Sequence, residues 1–164
     1  MKELLMNLAS YHIWANLRLT DTLKKISQQQ LDQEFPSSFP NIRKTMVHLW
    51  DAEETWFQRL KMEEKVMLPS SGFSGDFIQF SELYLDLNKR LEEWIGKLTD
   101  QGLIHVVVYY NSKGEYHKLP VYAILMQVFN HATYHRGQVV TLLHDLDITK
   151  IPGTDFSLFC NSKK

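Results

Sequence analysis

The sequence predicts an all-α fold, a four-helix bundle with a short β-hairpin before the last helix. Four segments repeat apolar residues at helical spacing. Stretches rich in proline, serine or glycine separate the first three segments, and a run of β-branched and aromatic residues precedes the fourth. Because four such helices in a chain of 164 residues suit one bundle, we expect residues 1–164 to form a single domain.

The first helix is predicted to run from Lys2 to Ile26, where no glycine or proline interrupts the pattern. One face carries Leu4, Leu8, His12, Ala15, Leu19, Leu23 and Ile26. The following stretch, from Ser27 to Pro40, is polar and ends in a segment with two prolines and two serines. This composition predicts a connector.

The second helix is predicted to begin near Asn41, whose side chain is suited to capping a helix N-terminus. It should end near Met62. Apolar residues recur along one face of this segment at helical spacing, which indicates the side that packs in the core. That stripe consists of Ile42, Met46, Leu49, Trp56 and Leu60, and Trp50 and Phe57 widen it.

The third helix is predicted from Ile78 to Leu98, after a loop of serine and glycine at residues 67–75. Polar residues of the second and third helices are expected outside the core. These are Asp51, Glu53 and Glu54 on the flanks of the second helix, and Asp86, Asn88, Lys89, Arg90 and Glu92 on the outer face of the third.

Before the last helix, the sequence pattern changes from helical spacing to that of β-strands. Residues 105–119 are predicted to form a β-hairpin that turns at residues 111–114. The fourth helix is predicted to begin at Pro120, because proline is favoured at the first helical position, and to reach about Asp145. We expect residues 151–159 to be extended and packed on the bundle.

Composition limits the possible functions. The formal net charge is −1, so the chain has no global basic field for nucleic acid. No apolar run approaches the roughly 20 residues that span a bilayer, and the N-terminus lacks the pattern of a secretory signal. The single Cys160 cannot form an internal disulfide. We therefore expect a cytoplasmic protein that binds neither membrane nor nucleic acid.

Two histidines suggest a metal site. His131 and His135 lie four residues apart, which stacks two imidazoles on one helix face and allows both to bind one ion. His135 lies on the apolar stripe of the fourth helix, and His131 lies at its edge. Neutral imidazole is a suitable ligand for Zn²⁺ or Ni²⁺. Spacing alone leaves a metal site and a structural role in the core equally open.

Two ligands from one helix rarely suffice, so a third is expected from a facing helix. His48 is the best candidate by face and depth, because it lies beside the apolar stripe of the second helix, and His12 is next. His105 and His117 are better explained as cross-strand partners in the hairpin. His144 lies on the outer side of the fourth helix, where a solvated residue is expected.

Several motifs resemble a known family over nearly the whole chain. They are Tyr11-x-x-Trp14-Ala15-Asn16, the run from Ile42 to Leu49 followed by Glu53-x-x-Trp56, the run from Asn130 to Gln138, and Asp155 to Phe159, which resembles a closing strand. On these residues the chain resembles the DinB/YfiT-like family, named for a DNA-damage-inducible gene. The most specific string is Asn130-His131 followed by His135-Arg136-Gly137-Gln138.

The resemblance implies a four-helix bundle whose metal, zinc or nickel, is bound by His48, His131 and His135. It also implies a homodimer. Relatives include enzymes that depend on low-molecular-weight thiols, such as mycothiol-dependent maleylpyruvate isomerase and bacillithiol transferases. Position 134, often histidine in the family, is Tyr134 here. Because this position is not among the implied ligands, the difference leaves the metal site intact.

Three protein ligands leave one coordination position open. The first hypothesis is a thiol S-transferase, in which the metal holds a small thiol as the thiolate that attacks an electrophile. Gln138, Tyr134 and His12 are candidates for orienting the ligands. Arg136 could meet an anionic group of the thiol, although its helical angle equally allows a surface position.

Two alternatives stay open. One is a metal-dependent hydrolase, which ranks lower because no carboxylate lies obviously beside the histidine pair. The other is a non-catalytic metal-binding protein of the stress response, in which the metal would mainly pin the second helix to the fourth.

Overall fold

The computed structural model describes residues 1–111 and 113–163, and the predicted four-helix bundle is confirmed. Its long helices are α1 (Lys2–Leu23), α3 (Ile42–Leu60), α4 (Phe77–Lys97) and α6 (Val121–Asp145). Short helices are α2 (Gln28–Asp32), α5 (Asp100–Ile104) and α7 (Phe156–Ser162). The hairpin strands are β1 (Val106–Tyr110) and β2 (Tyr116–Pro120).

The apolar stripes of the long helices meet in one core. α1 packs chiefly on α4 and α6, while α3 packs on α6. Among the most deeply buried side chains are Leu5, Leu19, Met46, Leu49, Leu87, Leu91, Ile124 and Val128. Burial of each such side chain contributes about 1.5–3 kcal/mol to folding. Because α3 and α6 lie side by side, polar residues at the edges of their stripes are brought together.

Side-chain caps begin two of these helices. The Asn41 side chain accepts a hydrogen bond from the backbone N–H of Lys44 at 2.8 Å, as predicted for an N-cap. Asp76 and Gln79 form a reciprocal capping box at the start of α4. α6 begins at Val121, one residue after the predicted start, because Pro120 ends the hairpin and caps the helix.

The connector between the first two long helices contains a helix that the sequence analysis missed. Helix α1 ends at Leu23, and α2 begins after Ser27. Ser27 accepts a hydrogen bond from the N–H of Gln30, whose side chain accepts one from the N–H of Ser27. This capping box, together with complete burial of Leu31, stabilises a single short helix.

The tail differs from the expected extended strand. Residues 156–162 form α7 instead, with Phe159 buried against α1. The rings of Phe156 and Phe159 lie 5.2 and 5.7 Å from the ring of Tyr11. Helical spacing is what allows two residues three apart to contact the same ring.

The predicted hairpin is confirmed as an antiparallel pair. Val106 lies opposite Pro120, and Tyr110 lies opposite Tyr116. Gly114 in the turn has a φ of +76°, a conformation that favours glycine, while Ser112 of the predicted turn lies outside the described residues. Among the described helices, none has the length and apolar composition required to cross a membrane.

Candidate metal centre

Three histidines from two helices converge at one point. His48 comes from α3, and His131 and His135 come from successive turns of α6. The Nε2 atom of His131 lies 3.3 Å from Nε2 of His48 and 3.0 Å from Nε2 of His135. A ligand nitrogen of each lies within 4.8 Å of the other two. The structure therefore brings together the three residues that the sequence analysis selected.

The arrangement fits a transition metal in geometry. A four-coordinate zinc ion with Zn–N bonds of about 2.0–2.1 Å holds its nitrogen ligands roughly 3.3 Å apart. The two shortest Nε2 separations, 3.3 and 3.0 Å, are close to that value. Three imidazoles without a carboxylate also match the preference of zinc and nickel for nitrogen donors.

The electrostatics of the cluster favour neutral imidazoles. Burial, followed by the neighbouring His135 and His48, lowers the pKa of His131 to about 4. Burial is also the main cause that lowers the pKa of His48 and that of His135. Near neutral pH the three rings are therefore uncharged, which is the form that binds metal. Ligation itself stays a prediction.

Gln138 fixes the orientation of one ring. Its side-chain oxygen lies 2.7 Å from Nδ1 of His135. Because an amide oxygen only accepts, Nδ1 carries the proton and Nε2 presents its lone pair to the cluster. The Gln138 amide nitrogen in turn donates to the hydroxyl of Tyr134 at 3.0 Å. Gln138 is therefore placed where an orienting residue is expected, and the exposed Tyr134 supports it from outside.

Phe39 is a part of the site that sequence reasoning missed. It lies in the connector before α3, and its ring stacks on His48 with centroids 4.2 Å apart. It also approaches His135 edge-on at 5.7 Å. The ring thus covers one side of the cluster with apolar surface. The periodic patterns of the sequence did not predict a role for Phe39, because this residue lies in an irregular segment.

The other side of the cluster opens onto a cleft of about 560 Å³. His48 and His131 form part of its wall, and the rest comes mainly from the next three turns of α3 and from the hairpin. Asp51 lines it, with both carboxylate oxygens hydrogen-bonded to Ser70, at 3.0 Å from the backbone N–H and 2.7 Å from Oγ. A small molecule in this cleft would contact the histidines directly.

His12 does not reach the cluster but belongs to a separate, fully buried polar network. Its Nε2 lies 3.0 Å from Oε2 of Glu53. Glu53 also accepts hydrogen bonds from the Tyr84 hydroxyl at 2.6 Å and from the Asn88 amide at 2.8 Å. The expected outward positions of Glu53 and Asn88 are therefore wrong, because partners on other helices satisfy them inside the core.

Arg136 belongs to the same network. It donates hydrogen bonds to Oδ1 of Asn16 at 3.1 Å and to Oγ1 of Thr133 at 2.8 Å, and it is only 2 % exposed. The alternative of a surface position is therefore wrong. Since its donors point into the bundle, Arg136 is not placed to meet an anionic group in the cleft.

The remaining histidines stay apart from the cluster. His105, His117 and His144 are exposed, as expected for hairpin and outer positions. His117 reaches the rim of the cleft, where its ring stacks on Tyr109 with centroids 5.5 Å apart.

Comparison with known proteins identifies the family. The DinB family matches residues 1–162 of this chain. The chain belongs to the DinB family. The resemblance inferred from the motifs is thereby confirmed over almost the full length. Within the DinB family, the protein DinB of Bacillus subtilis (strain 168) is 24% identical over 168 aligned positions, covering 97% of this chain and 95% of that protein.

Solved structures of DinB-like proteins share the fold. A DinB-like protein from Bacillus cereus has a TM-score of 0.68 at 19% identity, covering 88% of this chain and 91% of that one. YfiT from Bacillus subtilis has a TM-score of 0.70 at 17% identity, with 90% of each chain covered. YfiT is described as a probable metal-dependent hydrolase with an unusual four-helix bundle topology.

Proposed function

We propose that this DinB family protein binds one divalent transition metal, Zn²⁺ or Ni²⁺, through His48, His131 and His135, and that it is a thiol S-transferase. One observation carries the proposal: three neutral imidazole nitrogens converge at chelating separations beside an open cleft. Three protein ligands are typical of catalytic rather than structural zinc, because a position remains for a small molecule.

The residues around the cluster would have distinct tasks. A bound divalent ion supplies Lewis acidity, which lowers the pKa of a thiol so that its thiolate is available near neutral pH. Gln138 holds the tautomer of His135 in which Nε2 is free to bind. Phe39 covers the cluster on one side and excludes water there, so access is from the cleft.

Thiol transfer needs less from the protein than hydrolysis does. The thiolate sulfur forms a bond to an electrophilic carbon, the leaving group takes the electron pair, and the thiol proton passes to solvent. No protein base is required. Asp51, a carboxylate that lines the cleft, has both oxygens occupied by Ser70 and is poorly placed to take a proton from water.

A metal-dependent hydrolase is the second candidate. Two observations favour it: Asp51 lies in the same cleft as the histidines, and the similar structure of YfiT is described as a probable metal-dependent hydrolase. In this reaction Asp51 would exchange its contact with Ser70 for a water molecule and act as general base.

The test combines metal analysis with two assays. Protein purified without an affinity tag should contain about one equivalent of transition metal or take up added Zn²⁺ or Ni²⁺. Conjugation of small thiols to chlorodinitrobenzene should require that metal, and Asp51→Asn should leave the rate within about twofold. Metal-dependent hydrolysis of nitrophenyl esters that Asp51→Asn abolishes would instead establish the hydrolase. Metal binding without either activity would leave the metal a structural role between α3 and α6.

The homodimer implied by the resemblance and the cytoplasmic location expected from the composition are proposals as well. Light scattering of the purified protein at two concentrations tests the first, because a dimer has twice the mass of the 19.3 kDa chain.

A further inference from the structure

An arginine that lines the cleft lies beside two aromatic rings. The guanidinium carbon of Arg59 lies 4.8 Å from the ring centroid of Trp56 on α3 and 4.8 Å from that of Tyr109 on β1. Both distances are within the range of cation–π attraction. Nη2 also donates a hydrogen bond to the carbonyl of Tyr110 at 3.0 Å. Three contacts from two elements thus hold this flexible side chain in one direction.

Arg59 has no carboxylate partner among the described residues. Within residues 1–111 and 113–163, no Asp or Glu forms an ion pair with it, and neither Nε nor Nη1 has a hydrogen-bond acceptor. By contrast, Arg43 and Arg90 pair with carboxylates. Burial lowers the pKa of Arg59, in keeping with a partly desolvated cation. A half-buried cation without a counter-ion favours binding of an anion.

The neighbours of Arg59 indicate the rest of the ligand. Arg59, Trp56 and Tyr109 line the same cleft as His48 and His131. The planar guanidinium matches the geometry of a carboxylate, and the adjoining rings offer flat apolar surface. The cleft volume, about 560 Å³, suits a small molecule rather than a polymer.

We propose that the cleft binds a small organic carboxylate with a flat apolar body, and that Arg59 determines this specificity. The carboxylate would lie on Arg59 and the flat body on Trp56, with the far end of the molecule directed toward the three histidines. The proposal rests on the proposed function for the identification of this molecule as the substrate. The binding site itself does not depend on the metal.

Nuclear magnetic resonance of the full-length protein tests the site with simple probes. Benzoate should shift the indole N–H resonance of Trp56, assigned with Trp56→Phe, and should do so in chelator-treated and zinc-loaded protein alike. Benzamide, which has the same shape without the charge, should bind at least about tenfold more weakly. Propionate, which has the charge without the flat body, should also bind more weakly than benzoate.

Matched variants isolate the role of the guanidinium. Arg59→Gln should weaken benzoate binding at least about tenfold. Because Gln is too short to keep the hydrogen bond that Nη2 donates to the Tyr110 carbonyl, unchanged resonances of the hairpin have to accompany this loss. Arg59→Lys should recover part of the affinity. Arg18→Gln is the control, because Arg18 also lies 4.8 Å over a tryptophan ring, that of Trp14, but outside the cleft. It should bind benzoate like the parent protein.

Each contrary result would overturn one part of the proposal. Benzoate binding that Arg59→Gln leaves unchanged, or that appears only with zinc, would refute the arginine site. Equal affinity for propionate and benzoate would refute the claim that the ligand has a flat apolar body. If the protein takes up no metal but Arg59 still governs benzoate binding, the proposed function fails while the carboxylate site stands.

Discussion

Two histidine-containing regions of the bundle differ in how their polar atoms are satisfied. In the buried network, Glu53 accepts hydrogen bonds from Tyr84 and Asn88 and lies 3.0 Å from His12. In the cluster, the Nε2 atoms of His48 and His135 approach that of His131. The network pairs its polar groups with one another, whereas the cluster brings ring nitrogens of three imidazoles together beside a cleft. Convergent ring nitrogens therefore mark a candidate metal site more clearly than residue type does.

The difference follows from the cost of burying polar groups. Among the described residues, every buried side-chain nitrogen and oxygen has a hydrogen-bond partner. In the network those partners come from α1, α3, α4 and α6, so that it joins all four long helices. The cluster joins only α3 and α6 and opens to a cleft. The network should therefore govern stability, and the cluster should govern ligand binding.

The largest expected effect is the loss of stability in Glu53→Ala. This change would leave donors from Tyr84 and Asn88 unpaired in the core and remove the carboxylate beside His12. We expect the free energy of unfolding, measured with urea, to fall by about 3–5 kcal/mol.

The control for this change lies one residue away. Glu54 pairs with the exposed guanidinium of Arg90. Glu54→Ala should therefore cost less than about 1 kcal/mol. Equal destabilisation by Glu53→Ala and Glu54→Ala would show that the network does not hold the helices together.

The second effect concerns metal affinity. His131 is the central member of the cluster, near both other rings. His131→Gln should weaken binding of Zn²⁺ at least about 100-fold in competition with a chelating dye, because one of three ligands is lost. The unfolding free energy of the metal-free protein should change by less than about 1 kcal/mol.

His144 offers a control on the same helix, since it is exposed and outside the cluster. His144→Gln should bind zinc like the parent. If His131→Gln also retained parental affinity, the three histidines would not be the ligands.

The spacing of apolar residues predicted the long helices and the histidine cluster correctly, and the reason is physical. The apolar stripes of the long helices determine which faces meet, and a histidine at the edge of one stripe then lies near histidines at the edge of another. His48 could be selected in this way although it is 83 positions from His131. The same reasoning put Glu53, Asn88 and Arg136 partly or wholly outside. Whether a polar residue is buried depends on partners from other helices, which a single helical pattern does not contain.

Short elements were harder to predict. α2 had a local signal, Ser27 followed by Gln30 in the spacing of a capping box, but its apolar content is too small for a periodic pattern. α7 depends on contacts of Phe156 and Phe159 with Tyr11, nearly the whole chain away. Phe39 lies in no regular element at all. Tertiary packing, rather than local preference, fixes these parts.

Gln138 allows a smaller effect to be measured. Gln138→Ala would remove the acceptor that holds the proton on Nδ1 of His135, so that Nε2 is less often free. We expect zinc affinity to fall about tenfold, less than for loss of a ligand. Gln138→Glu keeps an acceptor and should restore most of the affinity. If Gln138→Ala bound zinc as tightly as the parent protein, the hydrogen bond from Gln138 would not be needed to orient His135. The cluster would then tolerate the loss of a hydrogen-bond partner, unlike the buried network.

The smallest expected effect is the pH dependence of stability that arises from the histidines of the cluster. The pKa of His131 is about 4 in the folded chain, against about 6.5 when unfolded, and the pKa values of His48 and His135 are also lowered. Between these values the unfolded chain binds more protons, so stability rises with pH across this window and falls as the pH decreases from 6.5 toward 4. Urea midpoints of the metal-free protein should therefore decline over this range.

In His131→Gln the decline should be shallower, because that side chain no longer takes up a proton on unfolding. Both proteins have to be measured with a chelator present, since bound metal adds its own proton competition. An identical slope in parent and variant would mean that His131 is as easily protonated in the folded state as in the unfolded one. Burial would then not hold the His131 ring neutral, and protons would compete with a metal for its Nε2 up to a pH of about 6.5, so this modest difference in slope bears directly on whether the three rings can bind a metal.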